Sequence, residues 1–329
     1  MIAALACAAL TGTSGATAHA GQLRAGVGVT DSSWHVGASA GQYASGRQDT
    51  FHVDPHVHQV KNAPSYGVQS RLTMRAVVVE EAGGERFALV KHDLYLSQDL
   101  LFRRAAQLLA GTGIDRTNLV IAATHNHSSP YYTSTAWGAW AFQDVFDIRA
   151  YDHFAKAMAD AVKKAAASME AVRVGASATY FDKTHRNSMG PALADDGTPA
   201  GYPTWFTDHD LTVVRFDQVD SGKPLAVLVN YSLHPEGLDG NDLISADWVG
   251  PMERMIDRAT GATTIFTQNS VGSSEPERSA YHDYRERQEF THREYAQGEW
   301  AAKQMADAPT VTAFMFAAAF LIASAIALA

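Results

Sequence analysis

Two kinds of apolar segment alternate along the middle of the chain. Runs rich in β-branched residues predict seven strands, at Leu72–Glu80, Arg86–His92, Asn118–Thr124, Val172–Tyr180, Leu211–Phe216, Leu225–Tyr231 and Thr263–Gln268. Longer amphipathic segments predict four helices, at Ser97–Leu109, Ile148–Met169, Trp248–Ala259 and about Ser279–Met305. Strands separated by helices indicate an α/β fold, with helices packed on a mostly buried β-sheet.

A turn signal adds one detail to this sheet. Gly222-Lys223-Pro224 lies between two predicted strands and predicts a hairpin, so we expect a mixed sheet. No repeat or low-complexity linker interrupts residues 21–308. We therefore predict a single catalytic-type domain over that range.

The first 20 residues are Ala-rich, lack Lys, Arg, Asp and Glu, and end in Ala18-His19-Ala20. An apolar run before a small-x-small site is typical of a secretory signal peptide. We therefore predict an exported protein (periplasmic, secreted or on the outer-membrane surface). Two alternatives are a lipoprotein attachment box at Ala4–Cys7 and an ordinary Ala-rich helix.

The last 20 residues, Thr310–Ala329, contain no charge, and Pro309 marks their boundary. About 20 apolar residues in a helix can span a hydrocarbon core of about 30 Å. The segment 309–329 is therefore a predicted membrane anchor. It could instead be a buried helix or the product of a truncated or frame-shifted gene.

Composition narrows the classes of protein and of site. The chain is 46% hydrophobic and 19% charged, which excludes a disordered, collagen-like or coiled-coil protein. Its formal net charge is −9 and it has no Lys/Arg run, so we expect no nucleic-acid partner. With 14 His and 1 Cys, any metal ligands should be imidazoles and carboxylates rather than thiolates.

The most informative histidines follow predicted strands. One strand leads into His125-Asn126-His127, and another into His234-Pro235. Ligand sites gather at the carboxyl ends of strands in α/β sheets, and imidazole nitrogen is a standard zinc ligand. The pattern predicts a metal site, although a His–Pro at a strand end also fits a structural histidine. Asp93 and Asp247 could accept hydrogen bonds from the ligating imidazoles.

A second histidine cluster competes with this one. Three histidines and one carboxylate lie within seven residues, in an apparent loop around Pro55: His52, Asp54, His56 and His58. The cluster could be a metal site or an exposed insertion.

The ordered set of segments resembles the amino-terminal catalytic domain of the neutral/alkaline non-lysosomal ceramidases. The family's T-H-T-H-S-G-P signature is similar to Thr124–Pro130, and its His–Pro to His234-Pro235. Further matching segments are Gly26–Asp31, Gly41–Ala44, Arg71–Ala76, His185–Ser188 and Leu243–Asp247. The resemblance covers roughly residues 24 to 280, and it rests on the order and spacing of the segments.

The resemblance implies zinc-dependent hydrolysis of a ceramide-type lipid amide, which gives a sphingoid base and a fatty acid. It makes His125 and His234 the zinc ligands. It places His127 beside the reacting carbonyl, for polarisation or proton transfer, and it assigns Arg186 to substrate binding. The implied cofactor is Zn²⁺, and the implied partner is a lipid-like small molecule.

One segment departs from the family pattern. Gln268–Pro276 matches a family segment that carries a functionally required Ser, but alignment puts Glu275 in that column. Glu275 could be a general base or a solvated loop residue. Ser274, one position away, is the candidate for substrate binding.

The second departure concerns the remaining zinc ligands. The family takes a Glu and a Tyr from well downstream, and no residue here lies in a matching motif. The available residues are Tyr281, Tyr284, Tyr295, Glu286, Glu289 and Glu294. Two alternatives therefore accompany the ceramidase hypothesis. One is a catalytically incomplete fragment or membrane-anchored binding protein, and the other is a zinc hydrolase acting on a different ester or amide.

Overall fold

The computed structural model describes residues 22–38, 65, 67–130, 147–181, 185–187, 208–237, 243–271 and 274–276. Several predicted features lie outside the described residues: the signal peptide, the cluster around Pro55, the fourth helix with its Tyr and Glu residues, and the apolar tail. Within the described ranges, no helix is both long and apolar enough to cross a lipid bilayer.

The strands and helices of the described residues can be compared with the predicted elements. The strands are β1 Arg24–Asp31, β2 Gly67–Val68, β3 Thr73–Glu80, β4 Arg86–His92, β5 Leu119–Ala123, β6 Glu170–Tyr180, β7 His185–Asn187, β8 Asp210–Gln218, β9 Pro224–Tyr231, β10 Leu243–Ile244, β11 Thr263–Gln268 and β12 Ser274–Pro276. The helices are α1 Asp99–Leu108, α2 Ile148–Ala167 and α3 Val249–Thr260. All seven predicted strands, and the three predicted helices that can be compared, are confirmed to within two residues at each end.

Eight strands form one mixed sheet in the order β11-β9-β8-β6-β1-β3-β4-β5. The pairs β4/β5 and β9/β11 are parallel, and the others are antiparallel. The predicted hairpin is confirmed as the turn between β8 and β9. The α/β class with a mixed, flanked sheet is therefore confirmed.

The sheet bends so that β11 lies against β3, β4 and β5. Side chains on one face of the strands, such as Val77 and Ile265, pack together between the two halves. On the outer faces, α1 and α2 cover β3 and β4, and α3 covers β8, β9 and β11. The bend brings the carboxyl ends of β5 and β9 together, although five strands separate them in the sheet.

The first strand was not predicted, because its glycines interrupt the β-branched pattern. A Cβ at Gly26 would lie 2.0 Å from the Ala165 carbonyl oxygen, and one at Gly28 would lie 2.0 Å from that of Ala161. Helix α2 therefore packs directly on the β1 backbone. Glycine is required here by the close approach of the two chains.

Candidate metal centre

Three histidines converge where β5 and β9 end. One donor atom from each of His125, His127 and His234 lies within 4.8 Å of the other two, and we call these residues the histidine cluster. The Nε2 atoms of His127 and His234 are 2.8 Å apart. His127 and His234 are buried and His125 is half-buried. The cluster joins the two predicted zinc ligands to the predicted catalytic histidine.

The segment after β5 is held in a strained conformation. His125 has a φ of 65°, which a residue with a side chain rarely adopts and which concentrates at functional sites. The buried Asn126 amide donates to the Asp93 carbonyl oxygen at 3.2 Å and to that of Ser245 at 2.6 Å. Its Oδ1 accepts from the Ser128 N–H at 2.9 Å. The asparagine between the two histidines therefore fixes the loop that carries them.

The loop after β9 is tied to its surroundings on three sides. The Pro235 carbonyl accepts from the His127 N–H at 3.2 Å, which joins the two histidine loops. The indole of Trp248 donates to the His234 carbonyl at 3.1 Å. The His234 N–H donates to the Ser274 carbonyl at 2.8 Å. Both loops are therefore positioned before any ligand binds.

The outer nitrogens of the cluster face two acceptors that sequence reasoning missed. His125 Nδ1 lies 3.1 Å from the Tyr95 carbonyl oxygen. His234 Nδ1 lies 3.2 Å from Glu236 Oε1, and His127 Nδ1 lies 3.9 Å from Glu236 Oε2. A backbone carbonyl leaves no sequence signal. Glu236, however, is a carboxylate two residues after a candidate ligand, and its proximity could have pointed to it.

The prediction that Asp93 is such an acceptor is wrong. Its carboxylate lies 2.6 Å from Lys91 Nζ and accepts from the Thr73 N–H at 2.8 Å. The Asp247 carboxylate accepts from the Gly237 N–H at 3.1 Å and from the Trp248 N–H at 2.6 Å. Asp247 therefore anchors the backbone of the loop after β9.

Burial lowers the pKa of two of the three imidazoles. Desolvation, reinforced by the neighbouring His234, lowers the pKa of His125 to about 4. Desolvation also lowers the pKa of His127 well below its ordinary value, and the His234 and His125 rings add to this effect. Neutral imidazole is the form that binds metal. Catalytic zinc sites use about three protein ligands and an open position, and this donor set fits that description.

The ring of Tyr95 closes one side of the cluster. Its centroid lies 4.2 Å from that of His125, and 4.7 Å from that of His127 in an edge-to-face arrangement. This packing holds both imidazole planes and adds to their desolvation. Tyr95 had no motif to mark it.

The other predicted site residues lie on the two-stranded ladder of β7 and β12. Glu275 and Arg186 are register partners across this ladder. Ser274 is buried, and its hydroxyl donates to the Ser232 carbonyl. Because the Ser274 carbonyl accepts from the His234 N–H, the ladder adjoins the histidine cluster. The roles of Arg186, Ser274 and Glu275 stay predictions.

Part of this sequence is similar to that of a known protein. The neutral ceramidase of Pseudomonas aeruginosa is 26% identical over 224 residues, which cover 64% of this chain and 32% of that protein. The chain therefore spans about a third of the length of that relative.

Solved structures share the fold. The crystal structure of the Pseudomonas aeruginosa neutral ceramidase matches with a TM-score of 0.64 at 20% identity, over 92% of this chain and 45% of that chain. A ceramidase complexed with C2 matches with a TM-score of 0.64 at 19% identity, over 92% and 44%. At such identities the likeness shows the fold alone. A family model matches residues 59–317, well over half of the chain, and the chain therefore belongs to the neutral/alkaline non-lysosomal ceramidase family, in its N-terminal region.

Proposed function

We propose that this chain carries the metal centre of a zinc-dependent hydrolase that cleaves the amide of a ceramide-type lipid to a sphingoid base and a fatty acid. The observation that carries the proposal is the convergence of the histidine cluster in a member of the ceramidase family. The relative named as a neutral ceramidase is covered over 32% of its length, so the proposed activity rests on the histidine cluster.

In this proposal His125 and His234 hold the metal, and the strained and tethered loops set their direction. When bound, Zn²⁺ supplies a Lewis acid that polarises a carbonyl oxygen and lowers the pKa of water toward about 7. His127 lies close enough to serve as a third ligand or to face the amide carbonyl. A donor aimed at the developing oxyanion is typically worth about 10²–10³ in rate.

Arg186 and Glu275 would act from the neighbouring ladder. Their backbones are register partners in the ladder that adjoins the histidine cluster. We assign substrate binding to Arg186 and proton transfer to Glu275. A general base must reach the proton that it removes, and such groups typically contribute about 10²–10⁴ in rate.

The test uses the full chain, stripped of metal with a chelator and then titrated with Zn²⁺. We expect about one zinc per chain, and zinc-dependent release of fatty acid from a ceramide with a fluorescent acyl group. A protein that binds no zinc and stays inactive after zinc addition would contradict the proposal. Binding of zinc and ceramide without formation of product would support the metal centre and refute catalytic turnover by this chain.

Histidine variants separate ligation from catalysis. His125→Ala and His234→Ala should each weaken zinc binding by at least about 100-fold, because a binding free energy of about 10–16 kcal/mol is shared among few ligands. His127→Ala gives the same loss if His127 is a ligand. If His127 acts on the carbonyl instead, zinc affinity survives and turnover falls by about 10²–10³. The control is His209→Ala, in the segment before β8.

One observation favours a second substrate class. Glu275 stands where the resemblance expects Ser, so the preferred substrate could be a different ester or amide. The comparison is a panel of lipid amides and esters, assayed with the wild type and with Glu275→Ser. Higher ceramide turnover in the variant would assign the altered substrate to Glu275. Unchanged preference would leave ceramide as the substrate and give Glu275 a structural role.

A further inference from the structure

Glu236 lies between the outer edges of two imidazoles of the histidine cluster. Its Oε1 is 3.2 Å from His234 Nδ1 and its Oε2 is 3.9 Å from His127 Nδ1. The first distance is that of a hydrogen bond, whereas the second lies beyond hydrogen-bond reach. The side chain is only 12% exposed, so solvent competes weakly for both oxygens.

The backbone on both sides of Glu236 is fixed. The Pro235 carbonyl accepts from the His127 N–H at 3.2 Å. The Gly237 N–H donates to Asp247 Oδ1 at 3.1 Å, and a Cβ at Gly237 would lie 3.2 Å from that same oxygen. The tether to His127 and the tether to Asp247 leave Glu236 little freedom. These backbone contacts therefore fix the position from which the Glu236 side chain extends.

A carboxylate at Nδ1 selects the tautomer of an imidazole. It favours a proton on Nδ1, and it leaves the lone pair on Nε2. In this chain the two Nε2 atoms, of His127 and His234, lie 2.8 Å apart on the far side from the carboxylate. That distance is the length of an N–H···N hydrogen bond, in which the Nε2 lone pair of His234 can accept from His127, and the same lone pair is the one that would bind a cation.

We propose that Glu236 is a positioning residue for His234, which it holds with the Nε2 lone pair directed toward a bound cation. This role rests on the metal site proposed above. His125 uses a neutral acceptor, the Tyr95 carbonyl, for the same purpose. Glu236 thus places a negative charge beside Nδ1 of His234. Loss of such outer partners typically costs about 10–100-fold in metal affinity.

The test compares Glu236→Ala and Glu236→Gln with the wild type. The dissociation constant for Zn²⁺ is measured on metal-free full-length protein by competition with a chromophoric chelator. Gln keeps a neutral carbonyl acceptor for His234 Nδ1, whereas Ala keeps no acceptor. We expect Glu236→Ala to bind about 10–100-fold more weakly than the wild type, with Glu236→Gln between them. Asp220→Asn, on the exposed turn at the opposite end of the β8–β9 hairpin, is the control for loss of one charge.

A spectroscopic measurement separates this role from general support of the fold. The ¹⁵N shifts of the imidazoles report which nitrogen carries the proton. We expect Nδ1-protonated His234 in the wild type, and mixed tautomers of His234 in Glu236→Ala. Unchanged tautomers, or zinc affinity within about twofold of the wild type, would overturn the role of Glu236 and leave the metal site intact. Failure of the wild type to bind zinc would overturn the site and this role together.

Discussion

Two buried groups of ionisable side chains lie close together in this protein, and they are built in opposite ways. The histidine cluster gathers three bases of one kind. Beside it, two cations and three carboxylates join β3 and β4 to α3, and we call them the charge network: Arg75, Lys91, Asp93, Glu253 and Asp257. Lys91 Nζ lies 2.6 Å from Asp93 and 2.8 Å from Glu253. Arg75 lies 3.0 Å from Glu253 and 2.8 Å from Asp257.

The two groups differ in whether the chain itself supplies opposite charges that offset the cost of burial. In the charge network every charge has an opposite partner in the chain itself. Burial raises the pKa of Glu253, and the positive charges of Arg75 and Lys91 offset part of that rise. In the histidine cluster the neighbours are like groups, so burial and mutual repulsion both lower the pKa of His125 and of His127. A group whose charges are balanced within the chain supports the fold, whereas a group of converging imidazole nitrogens is suited to bind a cation.

The substitution Lys91→Met should have the largest effect and tests whether the charge network supports the fold. The variant keeps the volume of the side chain but leaves Asp93 and Glu253 without their shared cation. Removal of one partner from a buried pair typically costs about 3–5 kcal/mol. We expect a loss of that size in the free energy of unfolding by urea. Zinc affinity should change little, because the charge network makes its ion pairs among its own members and not with the histidine cluster.

Lys156→Met is the matched control. Lys156 pairs with Asp160 along α2, and its side chain is 67% exposed. Exposed pairs are worth about 0–1 kcal/mol. If the two Lys→Met variants unfold at the same urea concentration, the buried charges do not support the fold as argued.

A smaller effect should appear when the pH is lowered. His125 takes up a proton at pH 6.5 in the unfolded chain and at about pH 4 in the fold, because burial lowers its pKa. The unfolded state therefore binds more protons in that window, and stability falls as the pH drops from 6.5 toward 4. The loss attributable to His125 is at most about 3 kcal/mol.

The measurement is urea unfolding of metal-free wild type and His125→Asn at several pH values between 7 and 4. Other groups titrate in both proteins, so the difference between the two curves isolates His125. We expect the wild type to lose stability more steeply. Parallel curves would mean that His125 titrates in the fold as it does in the unfolded chain.

Local patterns made most of the fold predictable. The strands Arg86–His92 and Thr263–Gln268 have the predicted bounds, because an apolar β-branched run is a property of the segment itself. Strand β1 was missed because its glycines are required by close contact with α2, which lies more than a hundred residues away in the chain. The same limit applies to the bend in the sheet, which follows from packing between distant strands.

The candidate site shows the same division. His125, His127 and His234 could be selected because each follows a predicted strand. Asp93 was misassigned because its partner Lys91, on the neighbouring inner-facing position of β4, was not recognised as a buried cation. The convergence of His127 with His234 joins residues that are remote in sequence, and the second partner of Lys91, Glu253, is remote as well.

The smallest effect concerns Ser274, behind the histidine cluster. Its buried hydroxyl donates to the Ser232 carbonyl, while its own carbonyl holds the His234 N–H. Ser274→Ala removes the first bond and keeps the second, so we expect a loss of about 1 kcal/mol in unfolding free energy and unchanged zinc affinity. If Ser274 supports the loop only, KM for ceramide should also stay unchanged. A higher KM with unaltered stability would instead assign Ser274 to substrate binding, and the site would then extend from the metal ligands into β12.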